Sequence, residues 1–396
     1  MKYDFQTKLN RKGHDALALD NYPTYGTQVK DGFDVIPMWV ADMNFPTFPN
    51  IQQTIQSRLN EPHFGYFSPS DAYYAAIQNW QKTRNNVEVE ADAIEYENGV
   101  LGCLSSAVRA FTSSGEAILV HSPTYVGFTH VLEDLGRKII HSPLYLDENG
   151  IYRMDYENMD KLCKEYHIHF AIFCSPHNPT GRVWEKEEIE KAMEVYRNND
   201  CVVISDEIWS DILLNNNKHI PTQSISEDAQ NRTIAIYAPS KTFSLAGLVG
   251  SYHIIYNKML RDKVIKESSS THYNAPNILS VYALMGAYSD EGQIWTDELC
   301  ETLSNNVNYA YDFIKNNFQG VQVSKPQGTY MLYLDCSKYL KAHNMSIQDL
   351  LQKGIEVGVI WQDGTPFQKE NTIRMNVALP TDRVKEAFER LKKYVF

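Results

Sequence analysis

Four short apolar runs recur through the middle of the chain, in "AILVHSPTY" (117–125), "FAIFCSPHN" (170–178), "CVVISD" (201–206) and "TIAIYAPSK" (233–241). Each is rich in Val, Ile or Phe and shows no alternation with polar positions. That pattern predicts strands buried on both faces, the habit of parallel sheets. Between the third and second runs, Ile189, Met193 and Tyr196 recur at helical spacing within Glu185 to Arg197. Strands alternating with helices predict an open α/β sheet. The flanks read differently. Ile51, Ile55 and Leu59 mark a helix opening after Pro49, and Leu299, Leu303, Val307 and Tyr311 mark a longer one. Beyond residue 320 come "VQVSKPQGTYMLYLD", "EVGVIWQDG" and "TIRMNVALP", then a closing helix on Val384, Phe388 and Leu391. This predicts a smaller α+β unit, onto which the irregular first forty or so residues wrap. The expected division is a large domain over 47–285 and a small one built from 1–46 and 286–396.

In open α/β sheets, ligands bind outside the carboxyl ends of the strands. Tyr125, Asn178, Asp206 and Lys241 follow the four apolar runs and all fall there. Lys241 lies beside the small residues Ser244, Ala246, Gly247 and Gly250. A lysine amine attacks carbonyls when desolvation or nearby cations lower its pKa; the alternative is a lysine that caps a loop. Asp206 ends an apolar strand, where an unpaired charge is expensive. A protonated pyridine nitrogen would be a suitable partner, and a helix-capping role is the alternative. Asn178 sits in "HNPTG", good turn chemistry in itself, and Tyr125 offers either an aromatic face or plain packing. "ENGVLGCLSSAVRAF" is a glycine-rich turn entering a helix whose apolar face is Leu101, Leu104, Val108 and Phe111. Free N–H groups at such a helix start can bind a phosphate, with Ser240 adding a hydroxyl. The turn is neither GxGxxG nor a P-loop. In "TIRMNVALP", alternation puts Arg374 and Asn376 on one strand face; Arg374 suits a bidentate grip on a carboxylate or a structural salt bridge.

Bulk composition narrows the classes. The 396 residues carry a formal net charge of -12, which argues against nucleic acid or an anionic membrane as the main partner. No run approaches the ~18 apolar residues of a membrane span, and Met1-Lys2-Tyr3-Asp4-Phe5 has no apolar core of a signal peptide. The six cysteines are scattered with no CxxC pair, which suits reduced thiols in a cytoplasm.

Together, "SPTY", "SPHNPTG", "SDEIWSD" and "PSKTFSLAGL" resemble the fold-type I PLP enzymes, the aspartate aminotransferase superfamily, in order and separation over nearly the whole chain. "PMWVADMNFPT" and "FGYFSPS", with "NPTGRVW" and "RMNVALP", look like the MalY/PatB-type branch of cystathionine and cysteine-S-conjugate β-lyases. The resemblance implies a PLP-dependent transferase-like fold, a mostly parallel sheet in a large domain plus a smaller α+β domain. It implies that Lys241 bonds to PLP, Asp206 holds the pyridine nitrogen, Asn178 the ring oxygen, and Tyr125 stacks on the ring. Val100, Leu101 and Ser240 would serve the phosphate, and Tyr66 would reach it from the neighbouring subunit of a homodimer. Arg374, helped by Asn178, would take the substrate carboxylate, with Asp42 and Trp39 near the entrance. Three departures stand out. Ala238 replaces a serine common three positions before the lysine. "LAGLVGSYH" lacks the arginine that aminotransferases often carry. Trp209 stands where aminotransferases commonly have tyrosine and the lyase branch often histidine, and it offers only an indole N–H.

The implied reaction is β-elimination from cystathionine or another cysteine S-conjugate, giving a thiol, pyruvate and ammonia without need of a metal. An aminotransferase would use the same catalytic residues, so these do not discriminate. A regulatory binder of other proteins is a third reading; no DNA-binding segment is apparent. Trp209, Trp184, Phe45 and Tyr125 are expected to give the thiol side of the pocket a partly apolar wall.

Overall fold

The computed structural model describes residues 1–396. Its main sheet has seven strands in the spatial order Ile94–Asn98, Gly250–Ile254, Thr233–Tyr237, Val202–Asp206, Phe170–Cys174, Ala117–Ser122, Lys138–Pro143. Only Gly250–Ile254 runs against its neighbours; the five strands beyond it are mutually parallel. The four apolar runs are thus the central strands. Phe170–Cys174 and Thr233–Tyr237 are buried at every position, as strands covered by helices on both faces must be. Two apolar clusters share this burial: Ile172, Ile204 and Ile236 pack under the helix Val100–Phe111, and Ala171, Phe173 and Val203 pack under Lys186–Asn198. That second helix opens on a capping box between Glu185 and Glu188, which satisfies its first N–H groups.

A four-stranded antiparallel sheet, in the order Gln322–Val323, Met331–Asp335, Thr372–Asn376, Gln362–Asp363, forms beyond residue 320. The helices Asp290–Asn317 and Thr381–Tyr394 pack on each other beside it. The amino-terminal segment does wrap onto this unit: Ile36–Pro37 pairs in parallel with Val359–Ile360. Arg383 and Arg390 both grip Asp34, and Asn376 Nδ2 donates to the carbonyls of Val40 and Asp42, each at 2.8 Å. This brings residues 39–42 across the carboxyl ends of the large sheet. No helix is long and apolar enough to cross a membrane, and all six cysteines are free thiols, five of them buried.

Candidate active site

A cavity of about 450 Å³ opens at the carboxyl ends of the central strands. Trp39, Val100, Leu101, Tyr125, Asn178, Asp206, Ser240, Lys241 and Arg374 all line it, so nine of the eleven residues singled out by sequence converge on one space. Most arrive by the same device: a buried strand fixes the backbone, and its last residue or the first ones beyond it turn into the cavity; Arg374 instead lies within the strand Thr372–Asn376. A larger hollow of about 670 Å³ lies between the amino-terminal segment and Leu379-Pro380. Most of its cations are already paired with acids, as in Lys8–Asp34, Arg11–Asp42, Lys30–Glu356 and Arg383–Asp34. The smaller cavity, with unpaired reactive groups, is the chemical site.

Lys241 is nearly enclosed. Its Nζ donates to the carbonyl of Ala41 at 3.1 Å and stands 5.7 Å from the centre of the Trp209 ring. Burial, reinforced by the Arg374 charge, draws its amine down to about 8, against the opposing pull of Asp42 and Asp206. Roughly a tenth of the amine is then neutral at pH 7 and able to attack an aldehyde, far more than for an ordinary lysine. Thr242, the next residue, is anchored through its hydroxyl to Asp211 at 2.9 Å, and Asp211 also accepts from Trp80 Nε1 at 3.0 Å. This fixes the turn that carries Lys241.

Asp206 is 5% exposed and forms no salt bridge; its Oδ1 accepts from the backbone N–H of Ile208 at 3.1 Å. Burial pushes its carboxyl up to about 7. A buried acid without a cation is the environment in which a pyridinium N–H would be bound firmly, since each would offset the desolvation of the other. Beside it, Gly99 has φ +85° and opens the helix Val100–Phe111 with no side-chain cap. The first N–H groups of this helix have no partner within the helix, so Val100 and Leu101 present donors suited to a phosphate. A PLP molecule needs an amine for its aldehyde, an acid for its ring nitrogen and N–H donors for its phosphate. The cavity has all three, and these residues fit the cofactor.

On the substrate side, Arg374 is 3% exposed on the strand Thr372–Asn376. It donates to Asn178 Oδ1 at 3.1 Å, to the carbonyl of Trp39 at 3.3 Å and to Gln362 Oε1 at 2.5 Å. Burial brings its guanidinium down to about 10, still charged at neutral pH. Tyr125 borders the cavity with its ring edge-on to Phe128, 5.4 Å between centres.

Two singled-out residues stand outside. Asp42 does not line the cavity; its carboxylate is engaged by Arg11. Tyr66 is fully exposed in an irregular stretch and reaches no part of its own chain's cavity. The expected apolar wall is corrected in part. Trp209 lines the cavity, but Trp184 is core, its indole donating to the carbonyl of Cys174 at 2.9 Å, and Phe45 is buried against Phe5. Gln362 and Ser251 line the cavity without having been picked out by sequence. Gln362 is the direct cross-strand partner of Arg374. Only the pairing register could have revealed it.

Comparison with known proteins agrees with the geometry. The model of the family described as aminotransferase class I and II matches residues 34–391. The chain is 34% identical over 362 residues to cystathionine beta-lyase PatB of Bacillus subtilis, covering 91% of this chain and 92% of the relative. Cystalysin from Treponema denticola, whose structure contains pyridoxal 5'-phosphate, superposes with a TM-score of 0.91 at 30% identity, covering 99% of this chain and 98% of that one. The PLP-bound C-S lyase from Staphylococcus hominis gives a TM-score of 0.89 at 29% identity, covering 100% and 98%. A match running from the amino-terminal strap to the closing helix leaves no segment of the site outside it: the chain belongs to the aminotransferase class I and II family.

Proposed function

We propose that the protein is a PLP-dependent carbon–sulfur β-lyase that cleaves L-cystathionine or related cysteine S-conjugates to a thiol, pyruvate and ammonia. The observation that carries the PLP part of this reading is the meeting of Lys241, Asp206 and Arg374 in one cavity, the last two buried, Lys241 largely enclosed, and none paired with an opposite charge by a salt bridge. Similarity to cystathionine beta-lyase PatB and to the PLP-bound C-S lyase of Staphylococcus hominis supports elimination as the outcome.

Bound PLP supplies an electron sink conjugated to the substrate α-carbon. The chain supplies the rest. Lys241 would hold the cofactor through its Nζ, and the Nζ, once free of that bond, would take the α-proton as general base, a role suited to an amine titrating near 8. Asp206 keeps the pyridine nitrogen protonated. Asn178 serves the ring oxygen and braces Arg374, which takes the α-carboxylate. Val100, Leu101 and Ser240 would hold the phosphate, Tyr125 would lie against the ring, and Trp39 would flank the entrance, with Asp42 outside the cavity and held by Arg11. The β-carbon–sulfur bond breaks with its electron pair leaving on sulfur, the thiolate takes up a proton, and water completes conversion of the three-carbon remainder to pyruvate and ammonia. The working form is a homodimer with Tyr66 reaching the partner's phosphate site, in keeping with its full exposure on one chain. The free thiols fit a cytoplasmic setting.

The test is a cystathionine assay on the purified holoenzyme with no keto acid added, following thiol and pyruvate. Sustained, equimolar release supports the lyase. A visible band that bleaches once and recovers only on adding a 2-oxo acid would make the protein an aminotransferase.

A further inference from the structure

Arg374 is almost wholly buried, yet no carboxylate of the chain pairs with it. Its acceptors are an amide oxygen, a backbone carbonyl and Gln362 Oε1, all uncharged. Its Nε is buried with no acceptor at all. The guanidinium also lies over the Phe367 ring, 4.6 Å from its centre. A buried cation with only neutral partners is retained at a cost unless an anion comes to it.

Gln362 occupies the position from which that anion could have been supplied internally. It stands opposite Arg374 in the antiparallel register, borders the cavity, and reaches Arg374 Nη2 at 2.5 Å. This is the one hydrogen bond of its side chain, so the amide nitrogen keeps both its hydrogens for another acceptor. A glutamate has the same length and would reach the same nitrogen, but it would neutralise Arg374 from inside the protein.

We propose that Gln362 is a specificity-determining residue for the substrate carboxylate. Its oxygen turns the Arg374 guanidinium toward the cavity, its neutrality leaves the charge for the ligand, and its amide N–H offers the carboxylate a second donor. This rests on the reading of Arg374 as the carboxylate partner.

Two probes separate the proposal from that reading. L-Alanine has an amine and a carboxylate but no β-leaving group; ethylamine lacks the carboxylate. Both are titrated against the visible band of the holoenzyme. The variant R374A comes first, and it should erase the preference for L-alanine over ethylamine. If R374A keeps that preference, the Arg374 reading fails and the proposal falls with it. With R374A behaving as expected, Q362E should cut the preference roughly 100-fold, because a fixed internal anion competes with the ligand. Q362M, which loses one charge-assisted bond, should cut it about tenfold. With cystathionine, the rise in KM should exceed the fall in kcat for both variants. Wild-type preference in Q362E and Q362M, with R374A impaired, overturns the proposal and leaves Arg374 in place. Melting curves report folding, and Q362M alone decides if Q362E does not fold.

Discussion

At the residue scale the site depends on two buried groups shifted toward each other. Lys241 is drawn down to about 8 and Asp206 is pushed up to about 7, in both cases chiefly by burial. For Lys241 the neutral amine prevails above about 8, so the rate at which apoprotein takes up PLP should rise with pH through that value, as stopped-flow absorbance can check. Replacing Lys241 with alanine should remove the covalently loaded visible band and lower elimination by ~10³-fold or more. Full turnover by K241A would contradict its role. For Asp206 the folded apoprotein binds a proton that the unfolded chain has released between about 4 and about 7. The sign of the linkage makes stability fall as pH rises through that window. D206N cannot ionise, so its melting temperature relative to wild-type apoprotein should climb from pH 4 to pH 7. A constant difference would mean that Asp206 titrates normally.

At the element scale, the turn at Gly99 and the pairing of outer strands matter most. Gly99 has φ +85°, and a Cβ there would also meet Val249 Cγ1 at 3.3 Å. G99A should therefore strain this turn by about 1–2 kcal/mol and, if the turn holds the phosphate as proposed, weaken PLP retention roughly 5–30-fold, read by equilibrium dialysis. Below this turn, Glu97 Oε1 and His253 Nδ1 meet at 2.8 Å across adjacent strands, both fully buried. E97A leaves the buried His253 Nδ1 without that partner and should cost about 1–3 kcal/mol, seen as a loss of melting temperature. The same pair explains what could be read from sequence. The central strands announced themselves as unbroken apolar runs, and the residues after them marked the site. Ile94–Asn98 and Gly250–Ile254 carry buried polar groups that look like surface until each is matched with the other. Gln362 stayed hidden for a related reason: its meaning lies in a cross-strand partner, Arg374, twelve residues away. The strap contact of Lys241 with Ala41 joins positions 200 apart in the chain, which no local pattern encodes.

At the scale of the whole molecule, the amino-terminal segment closes the site from outside the main sheet. Ile36–Pro37 pairs with Val359–Ile360, Asp34 is held by Arg383 and Arg390, and Asp42 by Arg11. Residues 39–41 then present two backbone carbonyls to the site, Trp39 to Arg374 and Ala41 to Lys241. The order in the chain thus places one wall of the cavity at the start of the sequence and Arg374 near its end. The homodimer proposal belongs at this scale. Sedimentation should give twice the 45.5 kDa chain mass. Y66A should release PLP faster without changing that mass. A monomer with full activity would exclude the shared site.

Trp209 has a consequence of an optical kind. It borders the cavity, as Trp39 does, with Lys241 Nζ 5.7 Å from the Trp209 ring centre, whereas Trp80, Trp184, Trp295 and Trp361 are packed in the core away from the cavity lining. An indole this close to a chromophore that absorbs where tryptophan emits loses its emission by energy transfer. The residue that breaks the expected pattern therefore gives the protein a built-in gauge: ultraviolet-excited fluorescence should dim as PLP is loaded and brighten as it leaves, and W209F should remove part of that response, W209F combined with W39F more of it than either alone.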